Sequence, residues 1–259
     1  MKARFHLEAD GQIARLTLAA PKPNILDRQM MAELEAGLDQ CSGHPLKAIV
    51  LSSEGPAFSY GASIEEHLPG QIEATLESLH RLLRKMVLSS APLIAAVRGQ
   101  CLGGGLELIL GCDLILAEET ATFACPEIQL GVFAPAASAL LPVKIGGSRA
   151  ALMLLTGASL SGREALAAGL VARCAPAGGL EEALGQWLAA EFLPRSAVAL
   201  GLAAQASRKA VLHALMQDLP AIESLYLNQL MGNLDAEEGI RAFLEKRKPR
   251  WQSDLLVRH

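Results

Sequence analysis

Gly99-Gln-Cys-Leu-Gly-Gly-Gly-Leu-Glu107 connects the apolar stretch Leu93-Ile-Ala-Ala-Val97 to the helical run Leu106 to Gly111. Three successive glycines at a strand-to-helix junction leave the first backbone N–H groups of a helix uncovered, which makes a natural anion or oxyanion site. The spacing is not Gly-x-Gly-x-x-Gly, and no Gly-Lys-Ser/Thr follows, so a nucleotide phosphate is disfavoured. Taken alone, Gly103-Gly104-Gly105 reads equally well as a tight turn that uses glycine for its conformational freedom. Glu107 tips the balance, because a carboxylate amid apolar residues must be solvated, paired or shifted in pKa. A second such carboxylate, Glu127, stands in Phe123-Ala-Cys-Pro-Glu-Ile-Gln-Leu-Gly131. Both are candidate acid/base groups.

Working outward, Phe5 to Glu8 and Ile13 to Leu18 alternate as strands around the turn Asp10-Gly11, and Leu26, Met30, Leu34 and Leu38 recur as one helix face. Buried-strand patterns return at Ala48 to Ser52 and Leu93 to Val97, with a helix between them marked by Ile72, Leu76, Leu79, Leu82, Leu83 and Met86. Two short strands, Leu114 to Ala117 and Ala121 to Ala124, flank the turn Glu118-Glu-Thr120 and deliver Glu127 just past the second. From about Gly146 helical signals dominate, with capping boxes expected at Ser161/Glu164 and Asp235/Glu238. Another, Ser63/Glu66, predicts a helix start after the loop Ala57-Phe-Ser-Tyr-Gly-Ala62. The pattern is an α/β core with a helical tail that packs on the core or on a neighbour.

Composition narrows the function classes. The net charge of −4 and an aromatic content of 4% argue against a nucleic-acid surface. The longest uncharged apolar stretch, Leu130 to Val143, is shorter than the roughly 20 residues of a spanning helix, and the N-terminus carries acids where a signal peptide needs an apolar core. No membrane partner is therefore expected. Five cysteines, odd in number and without a Cys-x-x-Cys pair, indicate neither a disulfide framework nor a zinc knuckle and fit a reducing cytoplasm. The six histidines lack metal-ligand spacing, and there is no Gly-x-Ser-x-Gly elbow, so no metal site is expected. His67 and His80 read as helix-surface or satisfied core histidines.

Four segments in order carry a family resemblance: Pro21-Lys-Pro-Asn-Ile-Leu-Asp27, Phe58-Ser-Tyr-Gly-Ala-Ser63, Gly99 to Leu108 with Cys112-Asp113, and Phe123 to Gly131. Together with the ending Glu238 to Pro249 they resemble the enoyl-CoA hydratase/isomerase (crotonase) superfamily over nearly the whole chain. The resemblance implies an α/β fold, a crotonase-like spiral of repeated ββα units with a C-terminal helical region. The expected division is a core at 1–195 holding the acyl-CoA site and a helical trimerisation and lid region at 196–259. It further implies an oxyanion hole from the backbone N–H groups of Tyr60 and Gly104, and catalytic roles for Glu107 and Glu127, which would hold a water that adds to the β-carbon of an acyl thioester. Glu127 is the expected proton donor to the α-carbon. Substrate-binding positions carried over by resemblance are Lys22, Ala62, Ser63, Gly103, Pro135 and Lys246, with Lys22 and the basic run Lys246-Arg-Lys248 placed for the phosphates of coenzyme A. No separate cofactor is implied, since coenzyme A is part of the substrate, and the family's usual assembly is a trimer or dimer of trimers.

Two departures bear on the acyl group. Simple aliphatic hydratases carry Gly-Ala-Asp where this chain has Gly61-Ala-Ser63, and a glycine-rich segment where it has Ala134-Pro-Ala-Ala-Ser-Ala139. Phe58 to Pro69 resembles more closely the hydratases that act on cyclohexa-1,5-diene-1-carbonyl-CoA, although the same substitutions fit a variation in packing. A hydratase of ring dienes, a short-chain enoyl-CoA hydratase and another crotonase reaction, such as isomerisation or thioester or C–C hydrolysis, therefore remain open. A non-catalytic acyl-CoA binder is disfavoured, because it has no need of two poised carboxylates.

Overall fold

The computed structural model describes residues 1–20, 24–67 and 70–252. Lys22 lies outside them. Strands β1 (Ala3–Glu8) and β2 (Ile13–Leu18) form the antiparallel hairpin that the Asp10-Gly11 turn predicts, with Ala3 opposite Leu18 and Glu8 opposite Ile13. Helix α1 (Arg28–Gln40) follows, capped by Asp27, whose carboxylate accepts from the Met30 N–H at 2.9 Å. Leu26 therefore lies before the helix rather than on its face, in a bridge to Ala62.

Strands β3 (Ala48–Ser53), β4 (Leu93–Val97), β6 (Leu114–Glu118) and β9 (Arg173–Ala175) extend the hairpin into a six-stranded sheet of order β1-β2-β3-β4-β6-β9, parallel from β2 onward. All residues of β3 and β4 are buried, as expected of parallel strands covered on both faces. Their side chains alternate between two cores. Ile49, Leu51, Leu93, Ala95 and Val97 face α1, α2 (Ile72–Val87) and α3 (Gly104–Leu110), while Ala48, Val50, Ile94 and Ala96 face α7 (Leu180–Glu191) through Leu184, Trp187 and Leu188.

A second sheet, of order β5-β7-β8, is made of short strands: β5 (Gln100–Leu102), β7 (Thr122–Ala124) and β8 (Leu160–Ser161). The chain thus repeats a unit of long strand, short strand and helix: β4, β5, α3, and then β6, β7 and the one-turn 3₁₀ helix Pro126–Leu130. An isolated bridge between Ser59 and Cys101 gives the unit that starts at β3 its own short second-sheet contact before α2. This is the ββα spiral. The two strands flanking Glu118 to Thr120 do not pair with each other; they belong to different sheets.

Helices α4 (Pro135–Ile145), α5 (Gly147–Thr156) and α6 (Gly162–Ala167) continue the chain, and the Ser161/Glu164 capping box opens α6. The Ser63/Glu66 box is not made: only a 3₁₀ turn, Glu65–His67, forms there, and the Glu66 carboxylate instead accepts from the Arg28 N–H. Nor is the Asp235/Glu238 box made. Asn233 caps α11 (Leu234–Leu244), and Glu238 is drawn into a bidentate pair with Arg247.

The C-terminal region runs through α8 (Ala197–Ser207), α9 (Lys209–His213) and α10 (Leu219–Leu225), with π-helical turns at Ala214–Asp218 and Tyr226–Leu230. It is latched to the core by Arg208. Its guanidinium pairs with the Asp113 carboxylate at 2.6 Å and donates to the carbonyls of Val87, Ser89 and Ala91. Among the described residues no helix is long and apolar enough to cross a membrane.

Candidate active site

The two suspect glutamates line one cavity, together with Ala62, His67, Gly104, Phe133, Pro135 and an apolar wall from Leu26, Met31, Leu76 and Leu79. Glu107 projects from the first turn of α3 and is 4% exposed. Its Oε1 accepts from the Ala136 N–H at 2.8 Å and the Ala137 N–H at 3.1 Å, the free amides of the first turn of α4. The helix dipole and both hydrogen bonds favour a charged carboxylate there. Burial opposes them and dominates, so the Glu107 pKa is raised well above the usual carboxylate range. The segment Ala134 to Ala139, which departs from the family pattern, is therefore the one that holds Glu107.

Glu127 enters from the other repeat unit, at the second residue of the 3₁₀ turn that follows β7. Its Oε2 is buried and has no hydrogen-bond partner among the described residues. Burial and the nearby charge of Glu107 both raise its pKa, and its own backbone N–H offsets part of the rise. Two carboxylates that resist ionising together share a proton near neutrality, so one can act as acid while the other acts as base.

The glycines have a geometric role here. Gly103 has φ +49°, and a Cβ on it would lie 2.2 Å from Glu127 Oε1, so only glycine lets that carboxylate rest against the loop. Its N–H donates to the Ala124 carbonyl of β7, which fixes the loop beside the turn carrying Glu127. Gly104 begins α3, and its N–H has no hydrogen-bond partner among the described residues. A Cβ on Gly104 would lie 3.0 Å from the Ala62 nitrogen, so these two backbone segments are in contact across the cavity.

The direction of the Ala62 amide follows from its neighbours. Gly61 gives its carbonyl, and Ser63 its N–H, to Leu26. In such a parallel bridge the N–H of the residue between points away from the partner, here away from Leu26. Ser59 uses both its N–H and its carbonyl on β5, and its hydroxyl accepts from the Gly61 N–H at 3.1 Å while donating to the Asn24 carbonyl at 2.6 Å. Tyr60 is off the cavity wall, with a half-exposed side chain. The structure thus brings Ala62, rather than Tyr60, against Gly104.

Among the positions named for substrate contact, Ala62, Gly103 and Pro135 are at the cavity or against its glutamates. Ser63 is not in the wall; its carbonyl accepts from the His67 ring. Lys246 lies on an exposed turn after α11 and does not line the cavity.

His67 was not expected here, yet it lines the cavity. Its Nδ1 lies 2.7 Å from the Ser63 carbonyl, four residues earlier in the same turn, and burial lowers its pKa, which keeps the ring neutral. His80, by contrast, is a core residue, fully buried with Nδ1 2.7 Å from Glu223. Tyr226, from the C-terminal π turn, is buried and packs edge-to-face on Phe133 at 5.1 Å between centroids; burial and the two glutamates push its phenol pKa up. Among the described residues no group of three or more His, Cys, Asp and Glu side chains could hold a metal ion.

Comparison with known proteins gives the same family as the site. The model of the enoyl-CoA hydratase/isomerase family matches residues 8–254. A cyclohexa-1,5-dienecarbonyl-CoA hydratase of Thauera aromatica is 44% identical over 248 residues, 95% of each chain. The 2,3-dehydroadipyl-CoA hydratase of Escherichia coli is 36% identical over 229 residues, 87% of this chain and 88% of that one. A crystal structure of an enoyl-CoA hydratase from Mycobacterium avium superposes with a TM-score of 0.85 at 30% identity, covering 97% of this chain and 99% of that one.

Proposed function

The chain belongs to the enoyl-CoA hydratase/isomerase family, and from that premise we propose that it is a hydro-lyase adding water across the α,β, or conjugated diene, double bond of an acyl-CoA thioester. The observation that carries this reading is the pair Glu107 and Glu127 in one cavity, both raised in pKa, with Glu127 Oε2 left without a partner among the described residues.

The residues divide the work. Glu107, steadied as a carboxylate by the two α4 amides, takes a proton from the attacking water as its oxygen bonds to the β-carbon. Glu127 carries the shared proton and delivers it to the α-carbon. Between these steps the thioester oxygen holds enolate charge, and the N–H groups of Ala62 and Gly104 donate to it. Such aimed donors are worth about 10²–10³ in rate, and acid/base help adds about 10²–10⁴. No separate cofactor enters, coenzyme A being part of the substrate.

The acyl group we assign is the cyclohexa-1,5-diene-1-carbonyl unit. The 44% identity to the Thauera aromatica hydratase supports it, and the cavity wall of Leu26, Met31, Leu76 and Leu79 is apolar, as a hydrocarbon ring requires. Such a substrate would put the enzyme in the breakdown of aromatic acids in the cytoplasm. Residues 196–259 are assigned to trimerisation and to a lid over the site, in a homotrimer or dimer of trimers. Leu152 and Leu155 on α5 and Val198 and Leu202 on α8, exposed at helical spacing, are apolar surface for such contacts. Lys22 and Lys246 are the cations assigned to the coenzyme A phosphates.

Rates of hydration of crotonyl-CoA and of the ring dienoyl-CoA, followed by loss of the enoyl-thioester absorbance, test the reading. Faster turnover of the ring diene is expected. Activity on crotonyl-CoA alone would return the enzyme to the short-chain hydratases, and activity on neither would overturn the hydratase reading.

A further inference from the structure

The hydration mechanism leaves two polar side chains of the cavity idle, His67 and Thr75, and of these His67 has an uncommitted ring nitrogen. His67 enters from the 3₁₀ turn leading into α2, while the glutamates enter from α3 and from the turn after β7. Its Nδ1 faces a carbonyl oxygen, which can only accept, so Nδ1 carries the hydrogen and donates it to Ser63. In the neutral ring Nε2 is then a bare lone pair. Among the described residues Nε2 has no hydrogen-bond partner, and it is not among the buried atoms sealed off without one. Thr75, the other polar neighbour on this side of the cavity, already has its hydroxyl close to the Gln71 carbonyl, at 3.3 Å, and to the Glu66 carboxylate, at 3.4 Å.

We propose that His67 is a specificity-determining residue whose Nε2 accepts a hydrogen bond from a hydroxyl group on the acyl ring. This rests on the acyl-thioester reading of the cavity. A purely hydrocarbon acyl group leaves that lone pair facing apolar atoms or a trapped water, whereas a hydroxylated one satisfies it. The cavity accordingly favours the hydrated over the unhydrated side of the reaction. An anionic substituent is disfavoured, because it would meet a lone pair and two acidic side chains. A cationic one is disfavoured by the apolar wall and by the shared proton that halves the charge of the glutamate pair.

Calorimetric titration of the whole protein with benzoyl-CoA and with 2-, 3- and 4-hydroxybenzoyl-CoA tests this, since these planar ring thioesters can neither gain nor lose water. At least one hydroxy isomer should bind about 3–10-fold more tightly than benzoyl-CoA, the worth of one neutral hydrogen bond. The advantage should vanish in His67→Leu and return in His67→Gln, whose amide oxygen accepts. An unaltered protein that gains nothing from any hydroxyl position overturns the assignment, as does an advantage that survives in His67→Leu. If benzoyl-CoA and its hydroxy derivatives all fail to bind, the acyl-thioester reading itself falls.

Discussion

Replacing Glu127 by glutamine removes a buried charge while keeping the shape of the side chain, so the effect on stability can be predicted separately from the effect on rate. The folded protein raises this carboxyl from 4.5 to about 8, through burial and the neighbouring Glu107. A group whose pKa is raised by folding favours the native state while it is protonated. That advantage is complete below the unfolded value and is lost as pH rises through the folded one. The native protein should therefore lose stability between about pH 5 and pH 9, by up to a few kcal/mol, since each tenfold change in proton affinity is worth about 1.4 kcal/mol. Glu127→Gln cannot ionise, so its share of that loss should disappear, while Glu107, raised by its own burial, keeps its shift. For a chain of this size each kcal/mol moves the melting temperature by about 2–4 °C. Thermal melts of both proteins across the pH range should thus show the variant gaining on the parent as pH rises, by several degrees at the alkaline end. Parallel melting curves at every pH would mean that Glu127 is not a buried, shifted carboxyl, and the shared-proton argument would fail with it.

The same shared proton shapes catalysis: kcat/KM should fall as pH rises above the range of about 7 to about 8 set by Glu107 and Glu127, and a profile flat to pH 10 in a steady-state hydration assay would contradict it. Gly104→Ala puts a methyl 3.0 Å from the Ala62 nitrogen and should lower kcat by roughly 10²-fold by forcing the two donors apart, with an unchanged circular dichroism spectrum. Gly103→Ala collides with Glu127 Oε1 and should remove most activity, read by the same assay; full activity would show that Glu127 need not rest against that loop. Arg208→Met strands Asp113 and three carbonyls and should cost about 3–5 kcal/mol in denaturant unfolding, with turnover per folded molecule unaltered.

How much of this was legible in the sequence depended on how local the cause was. The long strands β3 and β4 and the helices α1 and α2 show in hydrophobic pattern alone, because each buries a continuous face. The short strands β5, β8 and β9 have two or three residues each, too few for a period to register, and they exist only because the ββα repeat lays them beside one another. At Ser63/Glu66 and Asp235/Glu238 the capping pattern was present but long-range partners won: Arg28 took one glutamate and Arg247 the other.

The site divides in the same way. Glu107 and Glu127 stood out as carboxylates in apolar runs, and the structure gathers them in one cavity. Resemblance locates the loop around Gly61 but not the direction of its amides, which depends on the pairing of Gly61 and Ser63 with Leu26; it points to Tyr60, whereas Ala62 is the residue that meets Gly104. His67 carried only a faint signal, a histidine four residues after a serine whose carbonyl it can bond. Its place in the cavity is set by a one-turn helix, where a full helix was expected.

The most direct test of the central claim is the hydration rate of the ring dienoyl-CoA by the parent, Glu107→Gln, Glu127→Gln and the double variant. Each single variant should fall by about 10²–10⁴-fold, and the double variant by little more than either, because the two carboxylates act as one unit. A single variant that hydrates at the parent's rate would contradict the two-carboxylate mechanism.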